Sequence, residues 1–441
     1  MKKVLALLLS FVLMVGALSA CGKEENTEVP QSEEAVGKET ETVEDVESEV
    51  EKEEVTLRYV TMSTIYPQKE DEINEALQKV LPHITLEIVH IADNYETTVK
   101  SQFATGDAPD LFEWTGYTAF EPFVEAGYVV DITDTGYVDN VLEPFQTAGM
   151  YQDKVYGIPT IAQSFGLIYN VDAFEKAGIE ESPKTLTELK DVCEKLKAVD
   201  IIPFATGFKE VWVGNQMSWK FLTSTIGEPN SWYDSMVDGT GSFKTEESDQ
   251  AFELLDIVIA NTVDMPLSSD AANMSYQLGV GEAAMMFLGE FQYDAIAKSN
   301  PEVHLAMAPT PVSENPEDAF MEFDGQQIVF LSEMGEHQEE ALEVLGWMVS
   351  EDGARTLSTV SGQSSALNYE LPDVEINPLG ASGAEYILSG GKTTSLIKNY
   401  WPSGMTTEAG KAIQDYIAGT YDKEQFFVVL DEAFERLSNP E

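Results

Sequence analysis

Four places in the chain set an aromatic ring next to a carboxylate or a second ring. Glu113 stands beside Trp114, Glu210 two residues before Trp212, and Glu290 beside Phe291, while Tyr400 and Trp401 share a Pro/Gly-rich loop. An aromatic face suits the apolar face of a neutral polyol such as a sugar ring, and carboxylates accept hydrogen bonds from its hydroxyls. The same glutamates admit an acid-base reading, in which Glu113, Glu210 or Glu290 hydrolyse a glycosidic bond. With 78 Asp and Glu in 441 residues, however, such pairs arise by chance and weigh little. Taken one at a time, a Trp at a strand end is more often core than ligand platform, so it is the recurrence that points to binding.

Other chemistry finds little support. The four histidines (His83, His90, His304, His337) are scattered, with no HExxH and no CxxC, so no metal site and no cofactor are expected. Gly279-Val-Gly281 has dinucleotide-like glycines but precedes an expected strand where such a motif must follow one. Ser395-Leu-Ile-Lys398 lacks the partner motifs of an acyl-transfer site. The net charge of -53, with arginine only at 58, 355 and 436, repels nucleic acid. A negative surface would instead attract cations, which keeps peptide or polyamine ligands as an alternative solute class.

The elements that must position these residues begin after a targeting segment. Lys2, Lys3 and the apolar run to Ala17 read as a signal peptide over 1–20, too short to span a membrane. Leu18-Ser-Ala-Cys21 resembles a lipobox, which implies lipidation of Cys21. Residues 22–54 carry 14 acidic and 3 basic side chains and no aromatic residue, so they read as an extended tether. That combination places the body at the outer face of a cell membrane, a Gram-positive surface being favoured over a periplasm. Cys193 is then the sole cysteine of the exported part; it sits on the stripe Leu186, Leu189, Cys193, Leu196 and reads as a small buried hydrophobe.

From Val55 onward, strands and helices alternate. Strands are expected at Val55–Thr61, Ile84–Ile91, Pro109–Trp114, Phe165–Tyr169, Ile201–Ala205, Ala283–Leu288, His304–Ala308 and Gln327–Leu331. Helices are expected at Glu70–Leu81, Tyr95–Ala104, Val171–Ala177, Leu186–Val199, Gln250–Ala260, Glu339–Val349, Glu408–Ala418 and Lys423–Leu437. Thr185 and Glu188 form a capping box at one start. The β-α-β-α-β order predicts an α/β fold of mainly parallel sheets flanked by helices, in two lobes facing a cleft.

Several motifs in order resemble the family 1 extracellular solute-binding proteins, the receptors of carbohydrate ABC importers. They are Phe103-Ala-Thr-Gly-Asp-Ala-Pro-Asp-Leu111, Val155-Tyr-Gly-Ile-Pro159, Leu167-Ile-Tyr-Asn170, Phe174-Glu-Lys-Ala-Gly178, Pro183 to Leu189, Gly281 to Met285 with Gly289, and Ala308-Pro-Thr-Pro311. The resemblance implies a two-lobe periplasmic-binding-protein-like fold of type II, with lobe one at 55–163 plus 309–361 and lobe two at 164–308 plus 362–441. It implies sugar stacking at Trp114, Trp212 and Phe291 and polar contacts from Gln163 and Glu210, while Glu113 and Glu290, beside their rings, are expected as further polar contacts. Trp401 is expected to substitute for a later stacking tryptophan, since Ala409 stands at that tryptophan's place. Ser63 and Tyr66, in the loop after the first strand, are expected to face the cleft. The function implied is ligand capture by hinge closure and delivery to a membrane permease by a monomer, with no catalysis. A surface adhesin is a further alternative.

Overall fold

A computed structural model describes residues 52–91, 94–226 and 229–439. The expected signal peptide, the expected lipidation site at Cys21 and nearly all of the expected tether lie outside the described residues.

A mixed sheet forms the centre. Its main strands are β1 (Val55–Thr61), β2 (Ile84–His90), β3 (Leu111–Trp114), β4 (Gly157–Asn170), β5 (Ile202–Phe204), β6 (Ala283–Gly289), β7 (Leu305–Ala308) and β8 (Met321–Leu331), and they run in the order β2-β1-β3-β8-β4-β6-β5, with β7 on β4. The outer pairs are parallel, β1 with β2 and β3, and β5 with β6, as the alternating pattern implies. The inner pairs are antiparallel: β8 with β3 and β4, and β4 with β6 and β7. The expectation of mainly parallel sheets therefore holds only at the two ends. Antiparallel strands can return directly without a crossover helix, which is why the period-2 signal alone could not separate the cases.

The long strands β4 and β8 tie the halves together. The first part of β4 pairs with β8 up to Phe165↔Glu322; beyond it, Leu167 to Asn170 pair with β7 on one edge, and Phe165 to Tyr169 pair with β6 on the other. Gly166 is required there, because a Cβ would stand 2.5 Å from the Ala308 carbonyl oxygen of β7.

Lobe one buries both faces of its strands. Leu57, Tyr59 and Leu111 pack on one side with Ile73, Leu77 and Leu345, and Val60, Phe112 and Phe330 pack on the other with Phe103 and Phe123. Lobe two is one larger core in which Leu189, Cys193, Phe221, Phe252, Leu288 and Phe426 meet. Burial pushes the Cys193 thiol up to about 12, which leaves it an inert apolar filler. The chain changes cores between Ala162 and Phe165, between Met321 and Phe323, and between Leu371 and Leu379. Val312 and Phe320 pack in the lobe-two core, and Ala366 and Leu367 in the lobe-one core.

Thr185 and Glu188 form the expected capping box at the start of the helix Leu186–Lys197. The helix Val211–Leu222 was not expected, since it is buried almost all round and shows no polar stripe. It delivers Lys220 to the crossing, where the ammonium donates to Glu322 of β8 and both side chains are fully buried. Desolvation pushes the lysine down and the glutamate up, each toward its neutral form. Removing one partner of such a pair leaves an uncompensated buried charge. Lys220→Met should therefore cost about 3–5 kcal/mol in urea denaturation, and adding Glu322→Leu should restore most of the loss.

Candidate functional site

Between the lobes lies a cavity of about 530 Å³ whose walls come from both halves and whose floor comes from the crossing strands. Lobe one contributes the loop Met62–Ile65 that follows β1. This loop is held from behind by Glu113, whose carboxylate accepts the Met62 N–H at 2.7 Å and the Tyr59 hydroxyl. Ser63 shapes the turn, its Oγ accepting the Ile65 N–H at 3.1 Å.

Lobe two contributes two rings. Trp212 lies in the first turn of the helix Val211–Leu222, and Phe291 in the short turn Glu290–Gln292 after β6; their centroids are 6.4 Å apart at 52°. Glu210 sits at the N-cap of that helix. One carboxylate oxygen accepts the indole N–H of Trp212, and the other accepts the Ala271 N–H at 3.2 Å, so the glutamate orients the ring. Trp212 remains 38% exposed, the least buried large aromatic of the cavity wall. An indole with its N–H already bonded and part of its surface open is a ready stacking platform.

The floor is made of amides. Gln163 of β4 donates to Gln363 at 3.4 Å, Gln326 and Gln327 of β8 lie beside them, and Gln292 donates to Ser275 at 2.6 Å. Asp294 is the one carboxylate on the wall, and no Lys or Arg lines the cavity among the described residues. Apart from His90 and Asp294, the polar side chains of the lining are amides and hydroxyls, and with the aromatic faces they match a ligand with apolar faces and many hydroxyls.

Of the ten residues expected at a ligand, Ser63, Gln163, Trp212 and Phe291 line this cavity, and Glu210 stands behind Trp212 as its support. The other five are placed elsewhere. Tyr66 is wholly buried in the lobe-one core, away from the wall its loop neighbours form. Trp114 is 3% exposed; it packs 4.7 Å from Phe123 and donates its N–H to the Ala119 carbonyl, which makes it a core ring of lobe one. Trp401 is buried in lobe two near Phe243 and is not among the residues lining this cavity. Glu113 and Glu290 are buried supports. Glu290 accepts the Ser164 N–H of β4 at 3.0 Å. The physical reason is the same layering in each case: the rings fill the cores behind the surface, and the carboxylates fix the backbone that does reach the cavity. Sequence reasoning missed Gln326, Gln327, Gln363 and Asp294, because a single amide or carboxylate in a strand, loop or helix start carries no local mark of a cavity.

Burial pushes the carboxyls of both Glu113 and Glu290 up to about 7. Between 4.5 and about 7 the unfolded chain has lost the Glu113 proton while the folded protein keeps it, so this group's contribution to stability falls as pH rises through that window. Glu113→Gln mimics the protonated acid. Its stability relative to the unsubstituted protein should therefore rise with pH by up to about 3 kcal/mol, read from urea midpoints at pH 4.5, 6 and 8. Trp114→Ala should cost about 3–5 kcal/mol in the same assay, whereas Trp212→Ala should change stability by less than about 1 kcal/mol.

The family model of the bacterial extracellular solute-binding proteins matches residues 63–355. The chain is 26% identical over 174 residues to a multiple sugar-binding protein of Streptococcus mutans, a match spanning 38% of this chain and 41% of that protein. It is 24% identical over 298 residues to a putative binding protein of Brucella abortus, covering 64% and 68% of the two chains. Among solved structures, a chitin oligosaccharide binding protein superposes with a TM-score of 0.73 at 20% identity, over 87% of this chain and 99% of that one. The raffinose complex of RafE gives 0.72 at 18% identity, over 87% and 100%. A structure from work on xylan utilization by the thermophilic bacterium Caldanaerobius polysaccharolyticus gives 0.74 at 22% identity, over 86% and 100%. With a two-lobed sheet, a cavity at the crossing strands and two thirds of its length matched by the family model, the chain belongs to the bacterial extracellular solute-binding proteins.

Proposed function

We propose that this protein captures a sugar or oligosaccharide at the outer face of a cell membrane and hands it, chemically unchanged, to an ABC permease. The observation that carries the reading is the cavity lining, which brings the partly exposed Trp212 and Phe291 together with a set of glutamine amides. Sugar-binding relatives and sugar-complexed neighbours of the same fold support it. The protein acts as a monomer without a cofactor, anchored through lipidated Cys21, with residues 22–54 as the spacer.

Capture works by differential affinity. Met62–Ile65 belong to lobe one, and Trp212 and Phe291 to lobe two, so only a ligand touching both favours the closed arrangement. The strands β4 and β8 supply the hinge between them. A hydrolytic role has no support in this geometry: Glu113 and Glu290, the carboxyls pushed up toward neutral pH, are buried supports, and Glu210 is engaged by Trp212 and Ala271.

A thermal-shift screen with raffinose, maltotriose, chitotriose, xylotriose and spermidine tests the reading. A ligand at 100 times its Kd should stabilise by about 2.7 kcal/mol and raise the melting temperature by several degrees. Calorimetry on the sugar that responds should then show Trp212→Ala weakening it at least tenfold. A response to spermidine alone, or shorter sugars released on overnight incubation, would refute it.

A further inference from the structure

Successive residues of a regular strand point to opposite faces, yet Gln326 and Gln327 of β8 both line the cavity. On strict alternation Gln327 would share the face of Phe323, Val329 and Leu331, which pack against the lobe-one core. The backbone breaks the alternation at that point. Gln327 has φ +51°, a left-handed conformation that costs any residue with a Cβ, and the ladder has no pair between Gln326↔Ile161 and Ile328↔Pro159. Pro159 has no N–H to offer β8, so the strand loses little by turning there. Thr160 secures the turn, its hydroxyl donating to the Gln327 carbonyl at 3.1 Å.

The side chain so placed is only 8% exposed, and its Oε1 is buried with no hydrogen-bond partner among the described residues. A buried amide left unpaired is costly, and here the chain bears backbone strain as well to keep it at the cavity. Both become intelligible when a ligand hydroxyl supplies the missing hydrogen. From these observations we infer that Gln327 is a ligand contact and specificity determinant, accepting one hydroxyl of a neutral sugar through its amide oxygen. The inference rests on the sugar-capture reading and sharpens it: a neutral amide at a buried point of the hinge strand accepts a hydroxyl, and no Lys or Arg faces it from the cavity wall to compensate a carboxylate. The site should therefore refuse sugar acids.

The experiment is calorimetry of the full chain against raffinose, maltotriose, chitotriose and xylotriose, with trigalacturonic acid as the acidic counterpart. Gln327→Ala, Gln327→Gly and Gln327→Asn are compared with the unsubstituted protein. Gln327→Gly removes the strain as well as the amide, so it should melt no lower than the unsubstituted protein while binding the responsive sugar at least tenfold more weakly. Gln327→Ala should lose the same affinity, and Gln327→Asn should regain part of it. Monodeoxy versions of the responsive sugar locate the contact: one should bind the unsubstituted protein about tenfold more weakly than the parent, yet match the parent on Gln327→Gly. Unchanged affinity in Gln327→Gly, or equal binding of trigalacturonic acid, would overturn the inference while leaving sugar capture standing. No response to any of the sugars by the unsubstituted protein would overturn the capture reading, and this inference with it.

Discussion

Two strands that belong to both lobes constrain everything else in this structure. β4 and β8 exchange ladder hydrogen bonds across the crossing, so neither lobe can separate from the other without breaking a backbone pairing that no solvent shell surrounds. The crossing is narrow, and the apolar cores stop on either side of it. What fills the gap is polar and buried: Lys220 with Glu322, Glu290 on the Ser164 amide, and Asp324, which accepts from Tyr117 at 2.5 Å and Asn399 at 2.6 Å. Each of these groups has at least one bonded neighbour, although Oε1 of Glu290, Oε1 of Glu322 and Oδ1 of Asn399 are buried without a partner among the described residues. Because Tyr117 is in lobe one and Asn399 belongs to the lobe-two segment, these bonds also hold the halves at a defined setting.

The carboxylates that the sequence offers as ligand contacts are used one layer deeper. Glu113 holds the loop that forms one wall, Glu210 orients the indole that forms the other, and Glu290 grips β4 beneath them. A buried carboxylate is a strong and directional acceptor for a backbone N–H, which makes it better suited to fixing a wall than to meeting an exchangeable solute. Beside the loop Met62–Ile65, His90 and Asp294, the surface left for the solute is two rings and a set of amides. Amides carry no charge to desolvate when the lobes close, so ligand entry need not overcome an ionic hydration shell.

The strained residue at the centre of this floor fits the same logic. Positive φ at a non-glycine residue persists only where the surroundings over-determine it, and Gln327 is held by Thr160 and by the paired residues on both sides, Gln326↔Ile161 and Ile328↔Pro159. Regular strand geometry would have buried its amide in a hydrocarbon core.

Local pattern alone was enough for many of the elements and their order, though not for the helices Pro229–Val237, Ala271–Gly279, Glu351–Ser361 and Pro378–Leu388. The alternation in Val55–Thr61, the capping box at Thr185 and the stripe through Cys193 depend on neighbours within a few residues, so the amino-acid order suffices to read them. Helix Val211–Leu222 escapes such reading, because burial on every side erases the amphipathic stripe on which it relies. The ordered motifs likewise carried the family. Which rings face the cleft is a different kind of question. Trp114 and Trp212 each stand near a glutamate, but one is sealed by Phe123 and Tyr95 from the same lobe while the other is left open at a helix start. That difference, like the gathering of Gln163, Gln326, Gln327 and Gln363 from three distant segments, arises from contacts between residues far apart in the chain, and only the folded arrangement of β4 against β8 decides it.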